Sequence, residues 1–135
     1  VGLLAAQYAS NIQLQILNGE DQIKYGSIYE NFVAQELTCH GFPTYYFNSK
    51  KHGELDFVIE HNDAVLPIEV KSGKEYLRHR ALVNIMDVRN YGLTSAIVLC
   101  NDNTSVVDSI TYYPIYMTMF INRKEPSDLI VDIGN

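Results

Sequence analysis

GELDFVIEHNDAVLPIEVKSGK, residues 53–74, reads as two strands joined by a short polar turn at Asn62–Asp63. Apolar residues recur at every second position on both sides of that turn, the period of a half-buried strand. With the turn centred between Asn62 and Asp63, His61 faces Ala64, Ile59 faces Leu66, Phe57 faces Ile68 and Leu55 faces Val70. These pairs predict one apolar face laid against a core. The opposite face takes Glu54, Asp56, Val58 and Glu60 from one strand and Val65, Pro67, Glu69 and Lys71 from the other. Asp56 then stands opposite Glu69, and Glu54 opposite Lys71. A slip of one residue would move every apolar side chain to the wrong face.

Two carboxylates directly opposite one another repel. A solvated outer face with Glu54–Lys71 pairs would tolerate this and do nothing, since exposed pairs contribute little. A site explains it as well: Mg²⁺ takes a few carboxylate oxygens and keeps several waters. Lys71 projects on the same face as Glu69, where its amine can orient an attacking water or neutralise charge on a phosphate. Val58, Val65 and Pro67 share that face and predict partial cover, under which unpaired charge is costly. That cover favours the site.

The remaining chain builds a frame around the hairpin. LLAAQYASNIQLQIL (3–17) has apolar residues at helical spacing. GSIYENFVAQELTCHGF is a stronger helix, with Ser27 as N-cap, Glu30 in capping-box position, a stripe of Phe32, Val33 and Leu37, and Gly41 as stop. PTYYFNS predicts a strand after Pro43. KEYLRHRALVNIMDVRNYG predicts a helix of about 17 residues, with Leu77, Ala81, Ile85 and Val88 inward and Gly92 ending it. SAIVLC is suited to a buried strand. SVVDSITYYPIYMTMF predicts a strand, then a helix from near Pro114. LIVDI in the tail fits either a strand or a frayed end. The expected class is α/β: an antiparallel meander of three strands, then a βαβ crossover, in a mixed sheet flanked by helices.

The 135 residues are 47% hydrophobic and 19% charged, the composition of one soluble globular domain. No apolar run reaches the roughly 20 residues that span a bilayer, and no signal segment opens the chain. The first residue is Val1 rather than Met, as expected of a piece of something longer. The net charge of −6 disfavours holding nucleic acid by bulk electrostatics. Six of the ten Lys and Arg residues, among them Arg78 and Arg80, fall between positions 50 and 80, but six acids share that window. Cys39 and Cys100 are far apart without zinc spacing, and are expected to be buried reduced thiols of a cytoplasmic protein.

Asp56 followed by Glu69-x-Lys71 resembles the core of the PD-(D/E)XK nuclease superfamily. The ordered segments GSIYENFVAQEL, YYF, GELDFVIE and PIEVKSGK, with VGLLAA and YYPIYMTMF, are closer still to one group within it. They look like the nuclease-like C-terminal domain, itself of unknown function, of bacterial and archaeal AAA-type ATPases. The likeness covers roughly residues 1–120, with 121–135 as a tail. It implies a restriction-endonuclease-like core and Mg²⁺-dependent hydrolysis of nucleic acid, with Mn²⁺ as a substitute ion. Asp56 and Glu69 would be the metal ligands, the backbone carbonyl of Val70 a third, and Glu30 would reach the ion through water. Lys71 would position or activate the water. A capping role for Glu30 competes with that assignment. The likeness also implies an ATPase module upstream, and a docking or regulatory role if the site is inactive. Two features depart from the pattern: Leu55 precedes Asp56 where the superfamily often has proline, and no GxxxxGK[ST] occurs.

Other chemistries have less support. There is no GxSxG elbow. His40, His52, His61 and His79 lack metal-ligand spacing. Tyr45–Tyr46 and Tyr112–Tyr113 are expected to be half-buried packing rather than base-stacking platforms. Arg78 and Arg80 are candidate phosphate contacts, but fit an exposed helix face better.

Overall fold

The structure, a computed structural model, describes residues 26–123. The expected helix over 3–17 and most of the tail, LIVDI included, lie outside them. Helix α1 spans Gly26–Cys39. Its end is a Schellman motif: Gly41 at φ 75° donates its N–H to Thr38, and Phe42 donates to Leu37. Phe42 then packs beside Val33 and Leu37, so the cap also starts the core. Ser27 lies inside the helix rather than at its cap, so the capping-box reading of Ser27 and Glu30 does not hold.

Three antiparallel strands follow: β1 (Tyr45–Ser49), β2 (Gly53–His61) and β3 (Ala64–Val70). Asn62 and Asp63 both have positive φ (52° and 62°), as a type I′ hairpin turn requires. The expected register holds from His61↔Ala64 to Phe57↔Ile68. Helix α2 (Arg80–Met86) and a 3₁₀ turn (Arg89–Tyr91) lead to β4 (Ala96–Cys100), which runs parallel to β3. Strands β5 (Ser105–Val107) and β6 (Ile110–Pro114) form a second hairpin, and a 3₁₀ helix (Ile115–Phe120) closes the described chain. The order β1-β2-β3-β4-β6-β5 makes an open mixed sheet of six strands.

The sheet is covered on both faces. Val33, Leu37, Ile59, Leu66, Ile68, Val70 and Leu99 form one core layer under α1. Leu55, Leu82, Ile85, Val98, Ile110 and Tyr112 form the other under α2. Gly53 anchors the second layer: at φ 99° it lets β2 approach so closely that a Cβ there would lie 2.8 Å from the Ala81 Cβ. No helix among the described residues is long and apolar enough to cross a membrane.

Several expectations need correction. The helix predicted over 74–92 shrinks to Arg80–Met86, with Leu82 and Ile85 inward and Leu77 61% exposed. The strand-then-helix reading of 105–120 missed the turn at Asp108–Ser109 and a sixth strand. Cys39 is exposed, while Cys100 is buried. Tyr45 and Tyr46 are exposed rather than half-buried. Leu55 does not share a face with Phe57 and Ile59, because β2 carries an irregularity. Tyr45 pairs with Val58 and Phe47 with Leu55, so β2 uses three steps where β1 uses two. Such a bulge re-aims the side chains beyond it; pairing with β1 resumes from Phe47↔Leu55, while pairing with β3 ends at Phe57↔Ile68.

Candidate functional site

The bulge assembles the site. Ladder pairing of β2 with β3 stops at Phe57↔Ile68, one pair short of Asp56 and Glu69. Past that point the Val70 N–H has lost its strand partner, and Asp56 Oδ2 accepts it at 2.7 Å. The carboxylate therefore sits in the fork between two parting strands. On the other side of β3, the Lys71 N–H continues the ladder to the Leu99 carbonyl at 2.8 Å. The end of β3 is thus fixed from both flanks, by a side chain on one and a strand on the other.

Glu69 is buried at 6% exposure, on a strand covered on both faces. Its Oε1 meets the Lys71 Nζ at 2.6 Å. Its Oε2 is buried and has no hydrogen-bond partner among the described residues. Burial pushes the Glu69 carboxyl above its usual pKa; Lys71 opposes the shift and Asp56 adds to it. Asp56 is also raised, first by burial, against the pull of the Val70 N–H and Lys71. Glu30 is exposed on α1, yet is raised by partial burial and then by the charges of Asp56 and Glu54. A Cβ at Gly26 would stand 3.8 Å from Glu30 Oε1 and 3.9 Å from Ser72 Oγ, so the first turn of α1 lies over the end of β3. Glu30, Asp56 and Glu69 thus share one electrostatic neighbourhood with Lys71 and the charge of Glu54, and desolvation biases those three acids against negative charge.

Not every expected member joins it. Arg78 lies in the turn before α2 and pairs with Glu75 at 3.0 Å, both side chains well exposed. Arg80 is exposed at the start of α2. Ser72, beside Glu30, carried no spacing signal in the sequence. Nor did His79, which is buried and shares a 2.6 Å hydrogen bond with the Tyr112 hydroxyl. A buried histidine is invisible to a search for ligand spacing when its partner lies on a distant strand.

The donor set fits Mg²⁺ in one respect and limits it in another. A cation would supply the partner that Glu69 Oε2 lacks. Among the described residues, no three His, Cys, Asp or Glu side chains are grouped to hold a metal ion. An ion here would rest on two carboxylates, completed by main-chain oxygen and water, a set that Mg²⁺ accepts.

Residues 25–118 match the family described as a domain of unknown function (DUF4143), and the chain belongs to that family. No curated protein and no solved structure matches it.

Proposed function

We propose that this member of the DUF4143 family is a divalent-cation-dependent phosphodiesterase that hydrolyses nucleic acid, on a restriction-endonuclease-like core of the PD-(D/E)XK kind. One observation carries the reading: a buried carboxylate oxygen, Glu69 Oε2, has no hydrogen-bond partner among the described residues, on a side chain that pairs with Lys71 and feels the charge of Asp56. Asp56 and Glu69 would hold Mg²⁺, or Mn²⁺ in its place, with the Val70 carbonyl as a third ligand and Glu30 acting through water. Bound there, the ion supplies charge neutralisation and Lewis-acid polarisation of the scissile phosphate. The chain's own residues do the positioning. The Val70 N–H fixes the Asp56 carboxylate through one oxygen and leaves the other for a ligand. Lys71 is 31% exposed, so its amine can meet both Glu69 and an incoming water, which it orients for attack. Arg78 and Arg80 would meet flanking phosphates; the exposed Glu75–Arg78 pair yields at little cost. A place beside an AAA-type ATPase module, in the cytoplasm, belongs to the same proposal.

Calorimetry with Mg²⁺ and Mn²⁺ tests the ligands without relying on activity. Wild type should bind and Asp56→Ala should not; equal binding, or none in either, refutes the site. Metal-dependent cutting of single-stranded, duplex or branched DNA should be lost in Lys71→Ala. A second reading, a non-catalytic module that docks or regulates the ATPase, is favoured by the net charge of −6 and the lack of a three-donor cluster among the described residues. Cutting no greater than that of Lys71→Ala would select it.

A further inference from the structure

Strands β3, β4 and β6 run parallel, so their carboxyl ends share one end of the sheet. Val70 is level with Leu99, and Cys100 with Pro114. Lys71 is therefore level with Cys100 and Pro114, and Asn101 and Ile115 follow one residue beyond on the adjacent strands. Ligands of open α/β sheets collect at such carboxyl ends. Beside the carboxylate site, this end holds a cavity of about 340 Å³ lined by Asn101, Asp102, Asn103, Pro114, Ile115 and Tyr116. That volume lies within the range of small-molecule sites, roughly 300–1,000 Å³.

The lining is chemically mixed in a useful way. Tyr116 is 59% exposed, so its ring is free on one side to take a flat partner. Asp102 is held locally: its Oδ1 accepts the Asn103 N–H at 2.7 Å, and Tyr76 lies close enough to lower its pKa. Tyr76 is itself braced edge-on by Tyr112, with ring centroids 5.9 Å apart. A carboxylate accepts about four hydrogen bonds, so Asp102 keeps capacity for a ligand donor. Asn101 and Asn103 add amides that both donate and accept. The cavity has no Lys or Arg in its lining and includes a carboxylate, which makes it a poor phosphate site. A stacking ring beside fixed polar acceptors suits a base.

We infer that the cavity at the ends of β4 and β6 is a nucleobase subsite, in which Tyr116 stacks on a base and Asp102 accepts from its amino group. This rests on the phosphodiesterase reading, because it places the base of a neighbouring nucleotide there while the scissile phosphate lies at Lys71. The spacing agrees: adjacent strands lie about 4.8 Å apart, so the cavity is roughly 5–10 Å from the end of β3. A nucleic-acid strand covers that distance in about two or three nucleotides at ~3.4 Å each.

The test is fluorescence anisotropy with labelled dC12 and dT12 at low salt, in EDTA and again with Mg²⁺ in a Lys71→Ala background. Tyr116→Ala should weaken dC12 binding about fivefold or more, while Tyr116→Phe should stay within about twofold of wild type. Asp102→Asn should narrow the preference for dC12 over dT12, since thymine offers no amino group. Binding of dC12 that is absent in wild type, or unchanged by Tyr116→Ala, overturns the subsite. Cutting that survives with Tyr116-independent binding removes the subsite and leaves the phosphodiesterase. Tyr116-dependent binding without cutting keeps the base site and removes the phosphodiesterase.

Discussion

Asp56 has a structural task and an electrostatic one, and two substitutions separate them. Asp56→Ala removes both the acceptor for the Val70 N–H and the charge; Asp56→Asn removes only the charge. Losing the charge relieves a half-buried carboxylate that burial and Glu54 disfavour. That relief is common to both variants, so their difference isolates the hydrogen bond. An N–H left unsatisfied in a buried setting costs about 1–3 kcal/mol, and Val70 is 7% exposed. Asp56→Ala should therefore be less stable than Asp56→Asn by about 1–2 kcal/mol, or roughly 3–10 °C in Tm for a domain of this size. In metal-free buffer at neutral pH, Asp56→Asn should match or exceed wild type. If the proposed site holds Mn²⁺, adding the ion should reverse that order. At 100 times Kd, a ligand specific for the folded state contributes about 2.7 kcal/mol, which wild type gains and Asp56→Asn does not. The chain has no Trp, so far-ultraviolet circular dichroism during urea and thermal unfolding is the readout. Equal stability of the two variants would refute the role of the fork hydrogen bond. Equal stabilisation of wild type and Asp56→Asn by Mn²⁺ would refute the charge as a ligand.

Three further outcomes follow from the same geometry. Gly53→Ala should destabilise by at least about 2 kcal/mol, since φ is 99° and the new Cβ meets the Ala81 Cβ at 2.8 Å; adding Ala81→Gly should restore only the steric part in a double-mutant cycle of urea midpoints. His79 is buried against the Tyr112 hydroxyl, its Nδ1 has no hydrogen-bond partner among the described residues, and burial, aided by Lys71, lowers its pKa. Below about pH 6.5 the unfolded chain takes a proton that the folded chain resists, so stability present above that pH is lost as pH falls through it. The Tm of wild type should accordingly drop more than that of His79→Gln between pH 7.5 and 5.5, and parallel falls would exclude the imidazole as the cause. Glu30→Gln should weaken Mn²⁺ binding a few-fold in calorimetry while leaving the metal-free Tm equal to or slightly above wild type, because the exposed Glu30 loses only its repulsion from Asp56 and Glu54; binding equal to wild type would return Glu30 to the surface.

The hairpin register was legible because two signals agreed. Asn62–Asp63 tolerates positive φ, and the apolar pairs beyond it align in only one register. The bulge was not legible, because Leu55 and Phe57 are both apolar and each finds a core of its own. A sheet buried on both faces erases the alternation that would mark where a strand turns over. A similar ambiguity extended the helix predicted over 74–92: Leu77 fits a helical stripe by spacing, but α2 starts only at Arg80 and leaves it in solvent. The strand β5 hid for a different reason. Three exposed residues and an Asp-Ser turn give too short a period to recognise. Of the candidate site, Asp56, Glu69 and Lys71 stood out in the sequence through the hairpin register and the resemblance together. The fork that holds Asp56 did not, since it depends on where the ladder breaks.

The broken ladder also bears on whether the acids are incidental. Regular pairing through Asp56 would place the Val70 N–H on a backbone carbonyl, and position 56 would be free to become apolar. Instead the strand parts, and a charged side chain does what a carbonyl does elsewhere. Glu69 is more telling. One oxygen meets Lys71 at 2.6 Å, and the other is buried with nothing among the described residues to accept from. Removing one partner of a buried pair is costly, but replacing a whole ion pair by apolar residues is often neutral or stabilising. A chain selected for its fold alone has that route open, with Pro67 and Val70 already showing that the strand takes apolar residues on both sides. Keeping both carboxylates and the amine there fits the proposed cation site, and the Mn²⁺ dependence of Asp56→Asn is where that argument succeeds or fails.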